Sequence, residues 1–159
     1  MSGDDKIRKS DPSGEIRELK AKISELEHTL KMSEDLAQAM LNATEDLVYL
    51  TDTEWRVIAV SRKAAEHFGK SAEEIVGANV FDYFPPHVSG PRIQMGLEVI
   101  RSGKPVHFQD SRDGMSFDIS VYPTLDVCGK VDRLAVYVRD ITETKQSMDA
   151  LLEAEKRLR

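Results

Sequence analysis

Several features are scarce in this 159-residue chain, and each scarcity excludes a class of protein. Cys128 is the only cysteine, so no intramolecular disulfide forms, and without a CxxC pair no thiol metal knuckle is built. The longest apolar runs are short, Leu134 to Val138 being typical, so no segment reads as a bilayer span. Lys6 to Lys9 is the only basic cluster in a chain of net charge −6 and pI near 5.3, so counterion release onto nucleic acid has nothing to work with. The opening MSGDDKIRKSDPSG lacks an apolar core of the secretory type, which places the protein in the cytoplasm. No GxSxG, HExxH, Walker loop or GxGxxG occurs, so the reading is of a protein without catalysis. The four histidines, His28, His67, His87 and His107, are scattered without metal-ligand spacing, and no metal is predicted.

What is present suits one soluble domain with extensions: 40% hydrophobic and 31% charged residues. Residues 1–10 are polar and aperiodic and read as a tail. Asp11-Pro12 then supplies an N-cap and a proline at the first helical position. Ile16, Leu19, Ile23, Leu26 and Leu30 follow at alternating spacings of three and four, and the pattern weakens through Ser33 and Ala37 to Met40. With isoleucine at a and leucine at d, this heptad favours a two-stranded parallel coiled coil. Glu15 faces Lys20 and Lys22 faces Glu27 as oppositely charged g-to-e′ pairs, which suits a parallel homodimer in register. Residues 11–43 are therefore predicted as a dimerising helix whose seam is Ile16, Leu19, Ile23, Leu26 and Leu30.

After Asn42 the period changes from heptad to alternating. Strands are predicted over 46–52, 56–60, 105–111, 115–124 and 131–139. Arg112-Asp113-Gly114 and Val127-Cys128-Gly129-Lys130 read as the hairpin turns of the last three. Between the second and third strands fall a helix over 62–68 capped by Ser61, a one-turn helix behind a Ser71–Glu74 capping box, a turn over 79–84, and a helix over 90–102. Ile93, Leu97 and Ile100 are predicted to share one face of that last helix. The class is α+β: a five-stranded antiparallel sheet with short helices on one face. Asp140, three residues before Glu143, predicts a further capping box that joins the last strand rigidly to a C-terminal helix over 142–159.

The stretch from Asn42 to Lys145 resembles a PAS domain. The resemblance is carried by LVYLTDTEWRVI (47–58), GKSAEEIVG (69–77), Gly103-Lys104-Pro105, Arg112-Asp113-Gly114, the run Phe117 to Pro123, and Arg139-Asp140-Ile141-Thr142-Glu143, all in the family's order. It implies the strand order 2-1-5-4-3 over residues 44–141 and a role in cytoplasmic signalling, as in sensor histidine kinases of two-component systems. It also implies an interior cavity between sheet and long helix, with Phe68, Ile75, Phe81, Phe84, Ile93, Leu97, Phe117 and Ile119 as candidate lining. Haem members carry an axial histidine near where Pro91, Arg92 and Ile93 stand, and covalent flavin members carry Asn-Cys-Arg where Asn79 is followed by Val80 and Phe81. Neither cofactor is predicted, which leaves an uncoloured small molecule or no ligand. The family often has asparagine where Ser61 stands, which predicts a weaker cap there. Asp140, Ile141 and Thr142 form the expected signal junction, leading to a downstream kinase or regulator domain. The alternative function is a ligandless PAS interaction scaffold.

Overall fold

The computed structural model describes residues 11–159; the predicted tail over 1–10 lies outside the described residues. The chain divides into two compact units, one ending at Ala39 and the other spanning Met40–Arg159. Helix α1 (Pro12–Asn42) starts as the sequence predicts: Asp11 accepts the Ser13 N–H at 3.1 Å through its side chain, and Pro12 takes the first helical position. At 31 residues it is about 45 Å long. None of its residues is buried, and Ile16, Leu19, Ile23, Leu26 and Leu30 are each more than half exposed.

The second unit holds strands β1 (Leu47–Asp52), β2 (Val57–Val60), β3 (Val106–Arg112), β4 (Met115–Leu125) and β5 (Val131–Asp140), all antiparallel in the order β2-β1-β5-β4-β3. Alternation in the sequence becomes two-sidedness in space. Val131, Leu134, Val136 and Val138 are buried on β5 and Phe117, Ile119 and Val121 on β4, while Tyr122 and Tyr137 lie exposed on the opposite face. The β3–β4 turn needs positive φ at both central residues, and Asp113-Gly114 supplies it at 49° and 76°. β5 pairs with β1 from Leu47↔Val138 to Asp52↔Arg133, so the last strand lies beside the first at the centre of the sheet.

Helices α2 (Arg62–Phe68), α3 (Ala72–Ile75), a single 3-10 turn (Val80–Tyr83) and α4 (Pro86–Ser102) cover the apolar face. Ser61 caps α2. Its fully buried hydroxyl accepts N–H groups from both Ala64 and Val48, at 3.2 and 3.1 Å, and so ties helix to sheet. The Ser71–Glu74 capping box forms in both directions. Helix α4 departs from prediction. It begins at Pro86, whose ring presets a helical φ, and it accepts Pro91 in its second turn at the loss of one ladder bond. Its inward face is Val88, Arg92, Gly96 and Val99, whereas Leu97 is 46% exposed. Of the Ile93–Leu97–Ile100 row that hydropathy points to, Ile100 packs against the core, whereas Arg92 finds a partly buried acid and Gly96 admits a ring, and those contacts set the rotation of the helix.

Candidate functional site

A small cavity of about 30 Å³ lies between sheet and helices. β1 supplies Tyr49 and Thr51 to its wall, β4 Ile119 and Val121, and β5 Leu134 and Val136; α4 supplies Arg92 and Gly96, and Trp55, Val80, Phe81 and Phe108 complete it. Of the residues predicted to line it, Phe81 and Ile119 do so. Phe68, Ile75, Phe84 and Phe117 belong to the same apolar core but stand away from the wall, with Phe68 and Phe84 edge to face at 5.3 Å. Ile93 and Leu97 lie off the cavity because α4 presents a different face. The lining residues that sequence reasoning missed include Thr51 and Gly96. Thr51 shares the inward alternation of Tyr49, and a glycine inside a helix marks close approach. Nothing in the local sequence marks Trp55.

Charge is concentrated beside the cavity. Arg92 is buried, and its Nε and Nη2 both donate to Asp110 Oδ2, at 3.0 and 2.8 Å, while its guanidinium lies 4.8 Å from the centre of the Phe84 ring. The other oxygen of Asp110 is buried without a partner. Arg112 stacks over Phe84 and Phe117, at 5.1 and 5.0 Å, and donates to His67 Nε2 at 2.8 Å. Burial and then the two arginines hold the His67 pKa below its usual value, against a weaker pull from Asp140, so this ring favours the neutral form. Burial pushes the Tyr49 phenol pKa up, with Arg92 and Arg112 opposing it.

The junction to helix α5 (Thr142–Arg157) is built differently from the predicted capping box. Asp140 is still a strand residue, paired with Phe117, and the N-cap is Ile141 without a side-chain cap bond. Because β5 commits its backbone to the sheet, Asp140 acts from one position earlier. Its carboxylate accepts the Thr142 N–H at 2.9 Å and the Thr142 hydroxyl, which hold its pKa below the usual carboxylate value. Thr142 Oγ1 in turn accepts the Ser116 N–H at 2.9 Å, and the Ile141 N–H donates to the Ser116 carbonyl at 2.9 Å. Asp140, Ile141 and Thr142 are therefore fastened to the start of β4. Arg139 forks onto Asp46 just before β1, at 3.1 and 2.9 Å. On α5, Met148, Leu151 and Leu152 are exposed, as is Leu158 at its C-cap.

Among the described residues no group of His, Cys, Asp and Glu is placed to hold a metal, and no helix is long and apolar enough to cross a membrane. Cys128 is exposed in the β4–β5 turn, where Asp126 accepts the N–H groups of Cys128 and Lys130.

Comparison with known proteins agrees with this architecture. A family model described as the PAS fold matches residues 41–146, a span that holds all five strands and the junction. The aerobic respiration control sensor protein ArcB of Escherichia coli is 29% identical over 124 residues, 75% of this chain but only 16% of ArcB. The PAS domain of BvgS from Bordetella pertussis superposes with a TM-score of 0.60 at 16% identity, covering 79% of this chain and 98% of that one. A sensory box sensor histidine kinase from Vibrio cholerae gives 0.57 at 13% identity, covering 74% and 98%. The chain belongs to the PAS fold family.

Proposed function

We propose, with that membership as premise, that this chain is the cytoplasmic sensory domain of a sensor histidine kinase or related two-component regulator. In this reading α1 dimerises it in parallel through the Ile16–Leu30 seam, and an uncoloured small molecule is sensed at the interior cavity. The change passes through Asp140, Ile141 and Thr142 into α5 and a downstream kinase or regulator domain. The kinase chemistry is assigned to that partner and not to these residues. The observation that carries the relay is the double hydrogen bond between Ser116 and the Ile141–Thr142 pair, because a shift of β4 cannot occur without pulling the first turn of α5. The likeness to ArcB supports the setting.

The test is Thr142→Val, which removes the acceptor for Ser116 and the donor to Asp140. Amide exchange in the first turns of α5 should quicken while β1 and β5 keep their protection. In the regulator that carries this domain, phosphotransfer should lose its response to signal. Slow exchange and an intact response would sink the relay. A second reading, a ligandless interaction scaffold, draws support from the narrowness of the cavity. It predicts that the junction variant leaves partner binding and output unchanged.

A further inference from the structure

The cavity and the indole in its wall carry an inference that rests on the sensory reading above. Thr51 is 1% exposed and lines the cavity, yet its hydroxyl finds no hydrogen-bond partner in the chain. Leaving a buried hydroxyl unpaired is costly, so a group able to answer it is the missing element. The wall also includes the indole of Trp55, only partly buried and edge-on to Phe81 at 5.5 Å and 69°. Beneath that indole α4 has glycine: a Cβ on Gly96 would stand 2.6 Å from Trp55 Cη2 and Cζ3. Glycine inside a helix sacrifices stability relative to alanine, and here it makes a flat seat for a ring.

The backbone of Trp55 is fixed although a bulky residue seldom adopts its φ of 70°. Its N–H donates to the Asp52 carbonyl at 3.2 Å, its carbonyl accepts from Val80 at 2.9 Å, and the Asp52 carboxylate holds Glu54 and Arg56 at 2.9 Å each. The ring therefore leaves its seat by side-chain rotation alone. As closed, the cavity has room for about one or two waters. A metabolite enters only if the indole leaves, and what enters must match what left.

We propose that the Trp55 indole is a resident stand-in for a ligand, and that the seat over Gly96 takes a flat, uncharged bicyclic aromatic molecule bearing one carbonyl or hydroxyl oxygen for Thr51. The ligand is uncharged because Arg92, the charged group on the wall, is already forked onto Asp110 and has no second anion to seek, while a cation would face Arg92 and Arg112. On entry the indole swings into solvent while the β1–β2 turn keeps its backbone hydrogen bonds.

Trp55 is the only tryptophan, so its emission reports the seat directly. The probes are 1-indanone and indane, the same bicycle with and without oxygen. With the wild-type protein 1-indanone should give a saturable red shift of Trp55 emission and raise the melting temperature. Thr51→Val should weaken 1-indanone by roughly fivefold to tenfold and leave indane unchanged. Gly96→Ala should red-shift the emission without any probe and abolish binding, and Trp55→Phe, which keeps a ring but shrinks it, should tighten binding. Absence of binding to the wild type, binding that leaves the emission unmoved, equal weakening of both probes by Thr51→Val, or binding confined to Trp55→Phe would each overturn the proposal. Any of these results, with the Thr142→Val effect on α5 intact, removes the ligand and leaves the relay standing. Loss of that effect with 1-indanone bound removes the relay instead.

Discussion

Helix α1 and the central strands β4 and β5 both carry regular apolar rows, and they meet opposite fates. Phe117 and Ile119 on β4 and Leu134 and Val138 on β5 are 1–2% exposed, whereas Ile16, Leu19, Ile23, Leu26 and Leu30 on α1 are 53–62% exposed. Period decides which side chains face together, but burial needs a second surface. The sheet finds one in α2, α3 and α4; the Ile16–Leu30 row of α1 stays exposed, which is why a second copy of α1 is its proposed cover. Within α1 the charges already compete for partners: Lys22 sits 3.5 Å from Glu25 of the same helix, with both side chains exposed.

The contrast breaks most sharply if a core residue proves dispensable. Phe117→Ala should cost about 3–5 kcal/mol in urea unfolding, because its cavity is walled by rigid strands and by the Arg112 and His67 side chains. Arg92→Met should cost less, about 2–3 kcal/mol, since it strands Asp110 against the core while a quarter of that side chain still reaches water. Asp110→Asn added to it should recover part of the loss, as judged by a double-mutant cycle. Leu19→Asp with Leu26→Asp should change core stability by less than about 0.5 kcal/mol, because neither residue is buried. The same variant should halve the mass found by light scattering; a dimer surviving intact would remove α1 as the seam.

The smallest effect concerns pH. The folded chain holds the His67 pKa below its ordinary value, so the unfolded chain takes up the proton first. The contribution is therefore fully present above about pH 6.5 and is lost as pH falls through the folded value. Between pH 7.5 and 5.5 the wild type should lose melting temperature, and His67→Gln should flatten that slope. Asp140 acts with the same sign, but its pKa too is lowered, so its loss belongs near and below about pH 4 and leaves the His67 window clean.

Strand positions, turn types and helix caps were legible because each depends on neighbours within a few residues. Asp113-Gly114 selects its turn whatever surrounds it, and Ser71 with Glu74 closes its box locally. The junction was legible in place but not in chemistry. Asp140 and Thr142 were both visible, yet the bond to Ser116 spans 26 residues and forms only because β4 and β5 pair. The cavity was least legible. Phe81 and Ile119 were found as apolar residues, whereas Arg92 and Gly96 were passed over because a charge and a glycine do not read as interior.

The sequence by itself therefore determined the alternating strands, the heptad helix and the order of elements, since these follow from backbone sterics and side-chain period. Only the tertiary structure decided that α4 turns Arg92 and Gly96 inward, that the Trp55 indole lies against Gly96, and that Ser116 anchors the start of α5. Those choices depend on contacts between residues remote in the chain: an acid to neutralise Arg92, a ring to fill the space above Gly96, and a neighbouring strand to bring Ser116 within reach of Thr142.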